Sequence, residues 1–138
     1  MSSIISNEEL QLINLLEEKT GASAKDVVND ADGVIFVVNP GELGKAIGKQ
    51  GVNIHKLKGM LGKPVEITEY ADELKSFLSN LFKPVAVEDV SVQSDGKIVH
   101  IKVDSENKGL AIGRNGSKIK KARLLLKRLF NIEEFKIL

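Results

Sequence analysis

The sequence predicts an α+β fold made of two successive units, each with the element order helix, strand, strand, helix, helix, strand. Three observations predict it: a segment that repeats at an offset of 65 residues, the same succession of helical and strand patterns in both halves, and two glycine-containing loops between helices. With 138 residues, the chain is long enough for two small domains that each bury a modest core. We place these domains at residues 1–70 and 71–138.

The repeat is densest around two glycine-rich segments. Residues 44–56 read GKAIGKQGVNIHK and residues 109–121 read GLAIGRNGSKIKK, with identity at seven of the thirteen positions. Self-similarity of this density indicates one supersecondary unit that is used twice.

The first unit opens with a helix and a hairpin. Residues 6–9, SNEE, form a capping box, and apolar residues at helical spacing follow as far as Lys19, after which Gly21 ends the helix. Alternating segments at residues 25–29 and 34–38, joined by the turn-forming residues 30–33, predict a β-hairpin.

The rest of the first unit contains two helices around a glycine loop and one further strand. Asn39 and Pro40 suit an N-cap and a first helical position, so a short helix is predicted from there to Ile47. After the loop, residues 52–61 are predicted helical, Gly62 and Pro64 end that helix, and residues 65–70 alternate as a strand.

The second unit repeats this order. Its predicted elements are a helix at 71–82, strands at 85–93 and 97–103 around a turn at 94–96, a short helix at 105–112, a long helix at 115–130 and a strand at 133–138. Because Tyr70 runs directly into the predicted helix at Ala71, we expect almost no linker between the units.

The net charge of +1 conceals two basic segments. Residues 43–63 hold five lysines and no acid, residues 107–132 hold eight bases and no acid, and the flanking segments are acidic. Basic segments on an acidic background indicate a site for a polyanion, although two solvated helix faces would give the same pattern.

The two loops combine features that suit a sugar-phosphate backbone. Glycine at the first and fourth positions allows positive φ and close approach of a ligand, the following helix begins at the loop, and a base occupies the second position, as Lys49 or Arg114. The alternative is a turn that needs glycine only to reverse direction. The spacing fits neither a P-loop nor a dinucleotide-binding fingerprint.

At these loops the sequence resembles the KH domain, whose Gly-x-x-Gly loop clamps about four nucleotides of single-stranded nucleic acid. The element order is similar to the prokaryotic-type (type II) KH fold, in which helices cover a three-stranded sheet. The tandem pair resembles the archaeal NusA-like family, and residues 108–116 and 122–128 carry the most specific similarity. The resemblance implies a factor of transcription termination or antitermination that binds single-stranded RNA, with RNA polymerase as a further candidate partner.

The candidate RNA-binding residues follow from the two loops and their basic flanks. They are Lys45, Ile47, Gly48, Lys49, Gln50, Gly51, Ile112, Gly113, Arg114, Asn115, Gly116, Lys118 and Lys121. We expect the basic residues to meet phosphates or to widen the positive field, and backbone N–H groups near Gly51 and Gly116 to add hydrogen bonds. The isoleucines, with Ile54 and Ile119, combine core packing with an apolar floor for bases, and the strands at 34–38 and 97–103 are expected to help read base identity.

Other chemistry is disfavoured by residue content. The chain has no cysteine, and its two histidines lie in no triad or metal-ligand pattern, so we predict a non-catalytic protein without cofactor, metal or small-molecule substrate. The apolar runs are too short for a membrane span, and we predict a cytoplasmic protein without a membrane partner. Two alternatives stay open: a KH protein of ribosomal RNA processing or ribosome assembly, and a docking module for polymerase or ribosome that binds RNA weakly.

Overall fold

The computed structural model describes residues 5–138, so the first four residues of the predicted first domain lie outside the described part. The chain divides into two compact units, one ending at Ala71 and the other spanning Asp72–Leu138. Among the helices of residues 5–138, none combines the length and the apolar character needed to cross a membrane.

The first unit has the predicted order of elements. They are α1 (Asn7–Thr20), β1 (Ala24–Asp30), β2 (Gly33–Val38), α2 (Leu43–Ile47), a 3₁₀ turn (Lys49–Gly51), α3 (Val52–Leu61) and β3 (Val65–Glu69). The sheet has the order β1-β2-β3, with β1 and β2 antiparallel and β2 and β3 parallel.

Local side-chain chemistry sets the ends of α1. The Ser6 hydroxyl accepts a hydrogen bond from the Glu9 N–H at 3.1 Å, and the Glu9 carboxylate accepts one from the Ser6 N–H at 3.0 Å. At the other end, Gly21 adopts φ +75° and donates its N–H to the Glu17 carbonyl at 2.9 Å. The predicted capping box and glycine stop are therefore confirmed.

The core of the first unit lies between its helices and one face of the sheet. Leu16 of α1, Phe36 of β2 and Leu57 of α3 are completely buried in one apolar cluster. Ala46 of α2 joins the same cluster, which fixes the helix that precedes the glycine loop against the sheet.

The second unit repeats the architecture. Its elements are α4 (Leu74–Phe82), β4 (Val87–Gln93), β5 (Ile98–Val103), a 3₁₀ turn (Ser105–Asn107), α5 (Lys108–Ile112), a second 3₁₀ turn (Arg114–Gly116), α6 (Ser117–Phe130) and β6 (Glu134–Ile137). The sheet has the order β4-β5-β6, again with an antiparallel pair followed by a parallel pair. The α+β class, with three-stranded sheets covered by helices in both units, is confirmed.

Phenylalanine rings hold the core of this unit. The rings of Phe82 in α4 and Phe135 in β6 stack with their centroids 5.8 Å apart, and those of Phe77 and Phe130 lie 5.3 Å apart. These pairs join the first helix of the unit to its last strand and its longest helix.

Helices α2 and α4 begin later than predicted. Helix α2 starts at Leu43 and not at Pro40, because Gly41 takes φ +86° and the Glu42 N–H closes a turn onto the Asn39 carbonyl at 3.0 Å. Helix α4 starts at Leu74 and not at Ala71, since Glu73 is extended with φ −82° and ψ 127°. Residues 70–73 therefore lie outside regular elements, and the predicted direct run from strand into helix is wrong.

The helices around the second glycine loop also differ from the prediction. The single helix predicted for residues 105–112 is a 3₁₀ turn followed by α5, because Asn107 departs from helical geometry with φ −104° and ψ 0°. Helix α6 begins at Ser117 and not at Asn115, whose φ of +55° is incompatible with a right-handed helix.

The buried face of α1 should dominate its contribution to stability. Leu16 has no exposed surface, whereas Leu10 on the same helix is 49% exposed. We expect Leu16→Ala to lower the free energy of unfolding by about 2–5 kcal/mol through lost burial and a cavity. Leu10→Ala, the matched control, should change it by less than about 0.5 kcal/mol in urea denaturation. Equal effects of the two substitutions would contradict this account of the core.

Candidate nucleic-acid interface

The first glycine loop is a tight turn between α2 and α3. Gly48 takes φ +80°, Gln50 φ +57° and Gly51 φ +77°. The turn is closed by the Gly51 N–H, which donates to the Gly48 carbonyl at 3.0 Å, and by the Val52 N–H, which donates to the Lys49 carbonyl. The chain therefore reverses within four residues and enters α3 immediately.

The second loop has the same backbone. Gly113 takes φ +83°, Asn115 φ +55° and Gly116 φ +75°, and the Gly116 N–H donates to the Gly113 carbonyl at 3.1 Å. The repeated sequence thus encodes a repeated conformation, including a left-handed residue at the third position that sequence reasoning missed. Asparagine is a known exception among non-glycine residues in this region, so Asn115 carried a signal that could have found it.

The first glycine of each loop is required by space as well as by φ. A Cβ added at Gly48 would lie 2.8 Å from the Asn53 Cγ, and one added at Gly113 would lie 2.6 Å from the Lys118 Cβ. The fourth glycine has room, because a Cβ on Gly116 would come no closer than 3.9 Å to the Ile119 side chain, so its positive φ is the constraint there.

The backbone donors available to a ligand lie just before the fourth glycine of each loop. The N–H groups of Gly51 and Gly116 themselves are used to close the turns, so any donors near these glycines that serve a ligand must come from neighbouring loop residues. Within residues 5–138, the N–H groups of the second and third loop positions have no hydrogen-bond partner; they belong to Lys49, Gln50, Arg114 and Asn115. Each loop therefore presents two adjacent unpaired N–H groups at its apex.

The side chains at the loop apex are exposed in both units, and the flanking isoleucines are half-buried. Lys49, Gln50, Arg114 and Asn115 all face solvent. Ile54 packs against the core cluster of the first unit while remaining partly exposed, and Ile47, Ile112 and Ile119 have similar exposure. This placement is compatible with packing on one side and with ligand contact on the other.

Lys45 is exposed but has an acidic partner. Its ammonium lies 3.4 Å from the Glu42 carboxylate, which also accepts a hydrogen bond from the Ser23 N–H at 3.0 Å. The Ser23 hydrogen bond and the neighbouring Lys45 charge lower the pKa of Glu42, so this carboxylate is ionised at neutral pH and offsets the Lys45 charge.

Two predicted contact residues are buried. Lys118 is 8% exposed and donates its ammonium to the Leu81 carbonyl at 2.8 Å. Lys121 is 6% exposed and its ammonium donates to the Ser117 hydroxyl. The expectation that these lysines widen a surface field is wrong, because both ammonium groups are bound inside the second unit.

The structure also changes which apolar groups can meet a base. Every residue of 34–38 in β2 is buried, so this strand cannot read bases through its side chains. Leu110, which sequence reasoning missed, is 62% exposed on α5 three residues before Gly113. The aligned position in the first unit is Lys45, and the replacement of a lysine by an exposed leucine within the repeat was a signal that could have identified it.

The histidines form no metal site. No group of three or more His, Asp or Glu side chains in the described part of the chain could hold a metal ion. His55 is exposed, and the His100 Nε2 lies 3.8 Å from the Glu134 carboxylate on the neighbouring strand.

Comparison with known proteins agrees with this architecture. Residues 12–72 match the KH domain family, and residues 74–137 match the family described as the NusA-like second KH domain. The chain is 37% identical over 138 residues to the probable transcription termination protein NusA of Halobacterium salinarum, with 99% of each chain covered. It is 33% identical over 135 residues to the probable transcription termination protein NusA of Methanococcus vannielii, with 96% of this chain and 78% of that protein covered.

A solved structure supports the same assignment. The crystal structure of APE1850 matches with a TM-score of 0.79 and 38% identity, covering 97% of this chain and 100% of that chain. Each unit has the type II order α-β-β-α-α-β, each contains a Gly-x-x-Gly turn, and the similarity to archaeal relatives extends over nearly the full chain. The chain therefore belongs to the archaeal NusA-like family of tandem KH-domain proteins.

Proposed function

We propose that this protein binds single-stranded RNA and grips its sugar-phosphate backbone with both Gly-x-x-Gly turns. The observation that carries the proposal is that two turns with the same backbone each combine a pair of unpaired N–H groups with an exposed base. Family membership and the names of the relatives support a role in transcription termination or antitermination. We further propose RNA polymerase as a partner.

Phosphate recognition in this proposal uses the apex of each turn. Two N–H groups in succession suit the oxygens of one phosphate, and the exposed side chain at the second position adds a charge-assisted contact. Arg114 can donate two parallel hydrogen bonds to a phosphate, whereas Lys49 acts as a compact charge, so the second turn supplies the more directional grip.

The bases are held without an aromatic platform. Phe36, Phe77, Phe82 and Phe135 are buried in the cores. The half-buried Tyr70 and Phe130 lie outside the strands, against Lys25 and Phe77 respectively, so neither sheet presents the aromatic platform used by aromatic RNA-binding sheets. The half-buried isoleucines beside each turn, and the exposed Leu110 in the second unit, offer aliphatic surface to a base or a ribose. The mode of action is binding without catalysis, and we assign it to the cytoplasm.

Reversing the charge of both turns tests the proposal. Replacing Lys49, Gln50, Arg114 and Asn115 with aspartate puts negative charge where the phosphates would lie and leaves the glycines in place. Aspartate is among the residues that tolerate the left-handed conformation at positions 50 and 115, so the turns should survive. We expect affinity for single-stranded RNA to fall on the order of 100-fold at low salt in a fluorescence-anisotropy titration.

A matched variant controls for net charge. The control variant replaces four exposed residues outside the turns with aspartate: the bases Lys19 and Lys75 and the amides Gln11 and Gln93. Because both variants replace two bases and two neutral amides, they lower the net charge equally. This variant should retain most of the affinity. A folded turn variant that binds as tightly as the parent protein would reject the RNA-gripping role and favour a protein-docking module.

The second test concerns RNA length. Because both turns lie on one chain, binding at the second becomes intramolecular once the first is occupied. With about four nucleotides per KH groove, affinity should rise with length and level off at roughly eight to twelve nucleotides. The variant Arg114→Asp/Asn115→Asp should level off at four or five, and double-stranded RNA should bind weakly to both proteins. A plateau at four or five nucleotides in the parent protein would show that one turn is inactive.

A further inference from the structure

Lys118 joins the second glycine turn to the end of another helix. Its stem packs beneath Gly113, where an added Cβ would lie 2.6 Å from the Lys118 Cβ and 2.7 Å from its N atom. Its ammonium donates to the Leu81 carbonyl of α4 at 2.8 Å and lies 5.7 Å from the centroid of the Phe82 ring. One side chain thus spans the distance from the turn to the last residues of α4.

The electrostatic setting explains why the ammonium points to α4. Lys118 lies in the first turn of α6, where the helix dipole disfavours a cation. The Leu81 carbonyl is among the last four of α4, which lack a partner within their own helix and lie at the negative end of its dipole. The hydrogen bond therefore moves the charge from an unfavourable helix end to a favourable one.

The first unit braces its turn differently. Asn53 occupies the position aligned with Lys118, and its side-chain amide donates to the Lys45 carbonyl at 2.9 Å. A Cβ added at Gly48 would meet this asparagine at 2.8 Å, so Asn53 covers its glycine as Lys118 covers Gly113. The first brace stays within the α2–α3 pair, whereas the second reaches α4.

We propose that Lys118 is a positioning residue for RNA binding: it fixes the second Gly-x-x-Gly turn from behind by tying α6 to the carboxyl end of α4, and it makes no contact with RNA. This inference rests on the proposed function and replaces the contribution to a positive surface field that the charge pattern predicts for Lys118. It also makes the geometry of the second turn depend on α4, while the first turn is held by its own two helices.

Salt dependence separates a brace from a phosphate contact. The variants are Lys118→Met, which keeps the apolar stem and removes the ammonium, and Arg114→Met, which removes a proposed contact. We expect Lys118→Met to weaken binding of a 12-nucleotide single-stranded RNA by about tenfold. Substitution of residues that orient the ligands of a metal site lowers affinity on a similar scale. A plot of log affinity against log salt has a negative slope, whose magnitude should stay at the parent value for Lys118→Met. For Arg114→Met, which loses one phosphate contact, the slope should become shallower by about 0.7.

The brace of the first unit supplies a rescue variant. In Lys118→Asn the amide can donate to the Leu110 carbonyl, which aligns with the Lys45 carbonyl that Asn53 uses. If Lys118 braces the turn, this variant should recover most of the affinity lost in Lys118→Met. If Lys118 contributes its charge to RNA, the two variants should be equally weak and both slopes should become shallower, which would overturn the proposal.

Amide hydrogen exchange tests the brace without RNA. The Gly116 N–H, which closes the second turn, should exchange faster in Lys118→Met, while the Gly51 N–H in the first turn serves as an internal control and should not change. Unchanged exchange at Gly116 in a folded Lys118→Met protein would overturn the proposal. If Lys118→Met does not fold, RNA affinity and amide exchange are measured on Lys118→Asn. We then expect the Gly116 N–H to exchange as in the parent protein, and faster exchange would count against the proposal. Failure of the parent protein to bind RNA would instead reject the proposed function, and exchange would still judge the brace.

Discussion

The close approach of two backbone segments inside each Gly-x-x-Gly turn is the constraint on which the site depends. The chain leaves one helix and enters the next within four residues, which presses the first glycine against the residue five positions later. In both units a single added carbon at that glycine would lie within 2.8 Å of a neighbouring atom. The positive φ angles, the exposed base at the apex and the two adjacent unpaired N–H groups all follow from closing the turn this tightly.

The same turn is held in two different settings. In the first unit the supports are local, since Asn53 bonds to the Lys45 carbonyl and Glu42 pairs with the Lys45 ammonium. In the second unit Lys118 reaches α4, and Leu110 occupies the exposed position of Lys45. The two units thus share the backbone of the turn, while the side chains around it differ: they are polar in the first unit, and they include a buried cation and an exposed leucine in the second.

Most of the fold was predictable because its signals are local. The capping box before α1, the glycine after it and both bounds of α3 follow from residue types alone. The starts of α2, α4 and α6 were missed, because the conformations of Gly41, Glu73 and Asn115 decide them and hydrogen bonding along the backbone sets those conformations. Propensity cannot determine such boundaries to within three residues.

The burial of two lysines could have been read from the sequence of α6. Lys118 lies four residues before Ala122, and Lys121 lies four residues before Leu125, so both share the apolar face of the helix. The density of positive charge in residues 107–132 outweighed that spacing in the prediction. The location of their hydrogen-bond acceptors was a different matter, because the contact between Lys118 and Leu81 joins residues 37 positions apart.

Counting bases overstates the diffuse positive field of either unit. In the first, the ionised Glu42 offsets Lys45, and in the second the carboxyl end of α4 and a serine hydroxyl hold Lys118 and Lys121. Close contact with a phosphate in the proposed function is therefore assigned to one exposed base and two N–H donors at the apex of each turn. Such donors act only over the length of a hydrogen bond. Binding through them therefore requires a nucleic-acid backbone that can bend into the turn, and it depends less on the total negative charge of the ligand. That requirement favours a flexible single strand over a rigid duplex, and it arises from the geometry of four residues and not from the net charge of +1.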